Sequence, residues 1–241
     1  MEINLAISKI VKFGSFVSGD QFEIIERPMG GVSCALADAS CSGDAGRMVS
    51  AMVVRKTIGL ISEGVRDGAA ARAASDYLFM ERAGSSSVFL TIVSADFQTN
   101  TIVITRNNPT PVFVYQSNKV DCIVSDSVPI GNSRNIRPVI NEIILQPGTT
   151  IVVFTDGVAR AGERYGHAID FCTLIQANLE EQEPTAQSLA DSLLLHAKRL
   201  DQNQPNDDMT IIVLRVLDIP NDNVRRLNVK IPIPGIFLEN D

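Results

Sequence analysis

The chain has 241 residues, enough for one large domain with a buried core. Its net charge of −7 argues against the basic face that a nucleic-acid binder presents. Its four cysteines, at positions 34, 41, 122 and 172, include no CxxC pair and no metal-ligand spacing, which speaks against a disulfide scaffold. The opening stretch MEINLAISKIVKFG has no signal-peptide pattern, and no apolar run reaches the ~18 residues of a membrane span. A soluble, cytoplasmic protein is expected.

In chain order, INLAISKIVKF and QFEIIE carry mixed alternation, and GVSCALAD is a small apolar run that ends on an acid. From Asp44 the pattern turns helical, with Ala45, Met48, Val49, Met52 and Val53 predicted on one apolar face. RDGAAARAASDYLFM is a second, alanine-rich helix. A series of strands follows: SSVFLTIVSAD, TIVITR, PVFVYQ, VDCIV, VINEIIL and TTIVVFTD. The links FQTN, QSNK and QPG are turn chemistry and predict hairpins. After the start signal Pro184-Thr185, residues Ala186, Leu189, Ala190, Leu193, Leu194, Ala197 and Leu200 form the stripe of another helix. MTIIVLRVL is a last strand, and the proline-punctuated segment 217–241 is an extension read as an edge strand and tail of the same domain. The fold class expected is α+β, one domain built on two antiparallel sheets with helices packed outside.

Acids stand at the mouths of several of these strands. Asp20 closes FGSFVSGD, Asp38 closes GVSCALAD, Asp156 closes TTIVVFTDG, and Asp207 and Asp208 immediately precede MTIIVLRVL. Any one of them is explained by the liking of turns for Asp. Gathered together, they would need a cation, and all-oxygen ligation suits Mg²⁺ or Mn²⁺ better than zinc. A competing motif shares the second of these mouths. Cys41 and Arg47 have the Cys-x5-Arg spacing of a cysteine-dependent phosphatase, with a thiolate nucleophile at a helix N-terminus. However, Ser40 precedes the cysteine and Met48 follows the arginine, where that chemistry usually has His and Ser or Thr.

From about residue 8 to residue 216 the pattern resembles the metal-dependent serine/threonine protein phosphatases, the PPM family, in its bacterial SpoIIE-like, stress-response branch. The resemblance is carried by Gly19-Asp20, by Asp38 in ADASCSGDAG, by GSSSVFLTI, by the turn RNNPTPVFV, by QPGTTIVVFTDGVAR and by DDMTIIVL. It implies a central β-sandwich flanked by helices on both sides, and two Mn²⁺ or Mg²⁺ ions at one end. Asp38 would bridge the ions, and the Ala39 carbonyl would bind the second of them. Asp156 and Asp207 would complete the first site and Asp20 would serve the second, with Asp208 a less certain ligand. A hydroxide bridging the metals would attack phosphorus, so Asp38, Asp156 and Asp207 would be catalytic through bound water. Arg47 could assist substrate binding, and Ser85 to Ser87 could touch phosphate. The implied substrate is phosphoserine or phosphothreonine on a signalling protein, such as an anti-sigma-factor antagonist or a stress-signalling scaffold.

The chain also departs from the family. Ala39 follows the central Asp, Asp44 and Asn107 stand near places where relatives carry His, and Arg160 stands where an acid is common. The histidine losses leave no obvious general acid among His167 and His196, and they motivate an alternative, a pseudophosphatase that binds proteins with little catalysis.

Overall fold

Strand MTIIVLRVL reads as a near-continuous apolar run, interrupted by Thr210 and Arg215, because both of its faces are buried. Met209, Ile211 and Val213 enter one apolar cluster, while Ile212, Leu214 and Val216 enter another. A continuous rather than alternating run is what a strand between two packed layers requires. The computed structural model describes residues 1–41, 43–220 and 223–232.

Among the described residues the strands are β1 (Glu2–Ile10), β2 (Gln21–Glu26), β3 (Gly31–Ala39), β4 (Val88–Asp96), β5 (Thr101–Asn107), β6 (Val112–Gln116), β7 (Lys119–Ile123), β8 (Val139–Ile144), β9 (Thr150–Phe154) and β10 (Met209–Leu217). The helices are α1 (Gly43–Ser62), α2 (Asp67–Arg82), α3 (Asp156–Ala159), α4 (Phe171–Gln182) and α5 (Ala186–Leu200). Two five-stranded sheets form, ordered β1-β10-β9-β6-β7 and β2-β3-β4-β5-β8. All their strand pairs are antiparallel. The sheets pack face to face over Leu36, Val93, Ile104, Ile151 and Leu214. The outer face of the first is covered by α4 and α5, and that of the second by α1 and α2. This is the expected α+β sandwich in four layers, helix, sheet, sheet, helix.

Three details differ from the sequence reading. The buried stripe of α1 is Gly46, Val49, Ser50, Val53, Val54, Thr57, Ile58 and Ile61. Ala45 and Met48, placed on the apolar face by periodicity, point to solvent instead. Ser50 and Thr57 are fully buried on the packed side of α1, at positions that a hydrophobicity pattern assigns to larger apolar side chains. Second, the QPG link makes no hairpin: it carries the chain from β8 in one sheet to β9 in the other. Third, the sequence reading passed over α4. It is started by Asp170, whose carboxylate accepts the Thr173 N–H at 3.1 Å. Beyond Leu217 the described residues form no strand, and residues 221–222 and 233–241 of the extension lie outside the description.

Candidate active site

Antiparallel pairing decides where the acids go. β2 begins where β3 ends, with Gln21 opposite Ala37. β10 begins where β9 ends, with Ile211 opposite Phe154. The mouths that carry Asp20 and Asp38 are therefore neighbours in one sheet. Those that carry Asp156, Asp207 and Asp208 are neighbours in the other.

The two sheets are stitched together at this end. Asp20, only 1% exposed, accepts hydrogen bonds on Oδ2 from the hydroxyls of Thr155 (3.0 Å) and Thr210 (2.6 Å) in the opposite sheet. Lys9 Nζ donates to the Asp20 carbonyl at 2.5 Å. Asp208 accepts the backbone N–H of Lys12 on Oδ1 (2.8 Å) and of Gly19 on Oδ2 (2.7 Å). Both of its oxygens are thus engaged in fixing the entry to β2. Gly157 explains the glycine after Asp156: a Cβ there would stand 2.1 Å from the Asp208 carbonyl oxygen, so α3 and the start of β10 could not lie this close.

Asp38 is the focus of the electrostatics. Its carboxyl lies within hydrogen-bond reach of that of Asp156, and Asp20 and Asp207 add to the negative field. Burial, reinforced by these like charges, pushes it up to about 9. Burial also raises Asp20, to about 7, against the two threonine hydrogen bonds and Lys9, which pull it down. Asp207 is raised too, by burial first and by Asp156 and Asp208, while the Asp208 N–H and Lys12 oppose the shift.

Among the described residues no three acidic, histidine or cysteine side chains converge at ligating spacing around one point. What is assembled is an Asp38–Asp156 pair within hydrogen-bond reach, with Asp20 and Asp207 acting on Asp38 through space. The donor chemistry nevertheless fits a hard divalent cation. The side chains are carboxylates, and the member at the centre, Asp38, is held toward protonation first by burial and then by its neighbours' charge. The cation that does reach the group is modest. Arg160, one turn along from Asp156, places Nη2 3.1 Å from Asp156 Oδ2, with its side chain 63% exposed. A pair so wet is worth on the order of 0.2–1 kcal/mol.

The remaining sequence candidates lie differently. Arg47 faces solvent and approaches Asp44 at 4.0 Å. Cys41 packs against the apolar cluster beneath α1. A Cβ on Gly46 would meet the Cys41 carbonyl at 1.9 Å, so the loop is folded tightly onto the first turn of α1; Ser42 within it lies outside the description. Ala39 ends β3 beside Asp38. Ser87 Oγ donates to Ser40 Oγ at 3.0 Å, and Ser85 Oγ caps the Arg82 carbonyl at 2.6 Å. His167 is exposed in the segment before α4, and His196 is half-buried on α5. Sequence reasoning gave no role to Thr155 and Thr210, although Thr155 directly precedes Asp156 in FTDG and Thr210 stands two residues after Asp208 in DDMT.

The family model for stage II sporulation protein E matches residues 28–217. The chain belongs to the SpoIIE family. Stage II sporulation protein E of Bacillus subtilis (strain 168) is 21% identical over 237 residues, covering 98% of this chain and 28% of that protein. Its counterpart in Priestia megaterium is 21% identical over 215 residues, covering 89% of this chain and 36% of that protein. The chain thus spans well under half the length of these two SpoIIE relatives. Among solved structures, the PP2C phosphatase domain of B. subtilis SpoIIE, with a fragment of its regulatory domain, superposes with a TM-score of 0.74 at 19% identity, covering 90% of this chain and 64% of that one. The catalytic domain of the serine/threonine protein phosphatase PstP in complex with two manganese ions gives 0.68 at 15% identity, over 90% and 99% of the two chains. RsbX in complex with magnesium gives 0.67 at 14%, over 88% and 94%. The fold of this SpoIIE-family chain is that of the PP2C-type phosphatases.

Proposed function

We propose that this SpoIIE-family domain hydrolyses phosphoserine or phosphothreonine on a protein substrate, with Mn²⁺ or Mg²⁺ as cofactor. The observation that carries the proposal is the crowding at Asp38. A buried carboxyl held beside Asp156, in the field of Asp20 and Asp207, is costly unless protons or cations offset it. Structural neighbours bound to manganese or magnesium agree with a cation in that role.

In this reading Asp38, Asp156 and Asp207, with the Ala39 carbonyl and Asp20, would hold two ions. When bound, the ions supply a water acidic enough to attack phosphorus near neutral pH, together with positive charge for the phosphoryl oxygens. The protein's own part is positional. Thr155 and Thr210 aim the Asp20 carboxylate by fixing one of its oxygens. Asp208 anchors the Gly19 and Lys12 amides, which sets the entry to β2 rather than leaving that carboxylate free to ligate. Neither histidine lies on a strand mouth, so solvent water is the proton source for the departing serine or threonine oxygen.

The substrate in this proposal is a small phosphorylated signalling protein, of the anti-sigma-factor-antagonist or stress-scaffold kind that the family resemblance implies. The binding-module reading is not favoured, because Asp20, Asp156 and Asp207 all act on Asp38 at one end of the sandwich. The test is phosphate release from a phosphoserine peptide with Mn²⁺ and then with excess EDTA. Release that stops with EDTA and returns with Mn²⁺ is expected. Release that persists in EDTA and vanishes in Cys41→Ala would overturn the proposal in favour of a thiolate mechanism.

A further inference from the structure

A phosphate dianion approaching this end of the sandwich meets a field set by carboxylates, and it needs a cation of the protein's own to fix its orientation. The candidates differ in availability. Lys9 is spent on the Asp20 carbonyl, and burial holds its ammonium below the usual range despite Asp20 and Asp208. Arg47, the sequence candidate, lies on the solvent side of α1 with Asp44 as its neighbour. Among the described residues Arg160 alone combines an exposed guanidinium with direct contact to one of the central acids, Asp156.

Its backbone is rigidly placed. The Arg160 N–H closes α3 onto the Asp156 carbonyl at 2.9 Å. Two residues on, the Gly162 N–H is held by Asp201 Oδ1 at 2.8 Å. Ala161 between them is buried. A fixed Cα with a mostly solvated side chain lets the guanidinium swing about its own torsions while its root stays beside the site. A planar guanidinium presents paired N–H donors to two phosphoryl oxygens, which a lysine cannot do.

We propose that Arg160 is the phosphate-recognition side chain of this site, resting on Asp156 when no divalent ion is bound and turning to the phosphoryl oxygens when Asp156 is engaged by one. The inference rests on the proposed phosphatase function. It makes Arg160 a competitor for Asp156 in the ion-free protein and a substrate ligand in the loaded one, so removing it shifts the two affinities in opposite directions.

The test compares wild type, Arg160→Ala and Arg160→Lys by calorimetry, first with Mn²⁺ alone and then with inorganic phosphate added to the Mn²⁺-loaded protein. Arg160→Ala is expected to bind Mn²⁺ a few-fold more tightly and phosphate about tenfold more weakly, the loss of a charge-assisted contact. Arg160→Lys is expected to recover part of the phosphate affinity. With phosphoserine peptide, the KM of Arg160→Ala should rise by more than kcat falls. Unchanged phosphate affinity in Arg160→Ala, or weakened Mn²⁺ binding, overturns the assignment. Weakened phosphate binding in a protein that hydrolyses no phosphopeptide would leave Arg160 in its role while removing the phosphatase reading.

Discussion

Two strand-to-helix units face each other across the end of the sandwich: β3 running through Asp38 into α1, and β9 running through Asp156 into α3. Both are a buried strand, an acid and a helix, with an arginine in α1 of the first and at the C-terminal cap of α3 in the second. In the first, residues 40–42 separate Ala39 from the helix, and Arg47 emerges on its solvent side. In the second, the helix begins on the acid itself, and Arg160 falls one turn later, where it folds back on Asp156. An i, i+4 relation permits that meeting once the segment Asp156–Ala159 is helical, which the fold decides. The Cys41-x5-Arg47 spacing forces nothing, because a loop lies between the acid and the helix. What looks like the more distinctive motif in the chain therefore belongs to the less equipped of the two arginines.

The largest way to break this comparison is to remove the shared carboxyl. Asp38→Asn should lower turnover by on the order of 10²–10³-fold or more, as loss of a central electrostatic element does. In EDTA at pH 8 the same variant should melt at a higher temperature than wild type, since it no longer holds a carboxyl among like charges. Turnover close to wild type would show that the β3 unit is not the centre of the chemistry.

The pH dependence sharpens it next. The folded-state values of Asp20 and Asp38 lie at about 7 and about 9, above the ~3.9 of an unfolded aspartate. The native state therefore holds these protons more firmly than the unfolded chain does. The stability they confer is complete below about pH 4 and is lost as pH rises through 7 and then 9. In EDTA, thermal melts should fall from pH 5 to pH 9, and Mn²⁺ should flatten that decline by taking the place of the protons. A melting temperature that rises across this range without metal would contradict the crowding at Asp38.

The smallest expected effect is at the motif itself. Cys41→Ala should leave turnover unchanged and shift stability by no more than about 1 kcal/mol, because Cys41 only flanks the apolar cluster under α1. A loss of turnover here, measured with Mn²⁺ present, would return ownership of the loop to the thiol.

Much of this was legible in the sequence because it depends on local pattern. All the strands were marked by apolar runs between turn residues, and the acids were marked by their position at the ends of those runs. α4, FCTLIQANLEEQ, was missed although Phe171, Ile175 and Leu179 stand at helical spacing behind the cap residue Asp170 and are buried against the first sheet. The α1 face was misjudged by periodicity because its buried side includes Gly46, Ser50 and Thr57, residues that no hydrophobic template selects.

The sequence by itself determined which residues end strands, the helical pattern of α1, α2 and α5, and that the acids outnumber the cations near them. Only the tertiary structure decided that β2 and β3 present their acids beside those of β9 and β10, since pairing between sheets is a long-range choice of register. It also decided that Asp208 spends its oxygens on two backbone amides and that Arg160, not Arg47, reaches the acids. Hydrogen-bond partners and side-chain direction are set by neighbours distant in the chain, and no spacing along it records them.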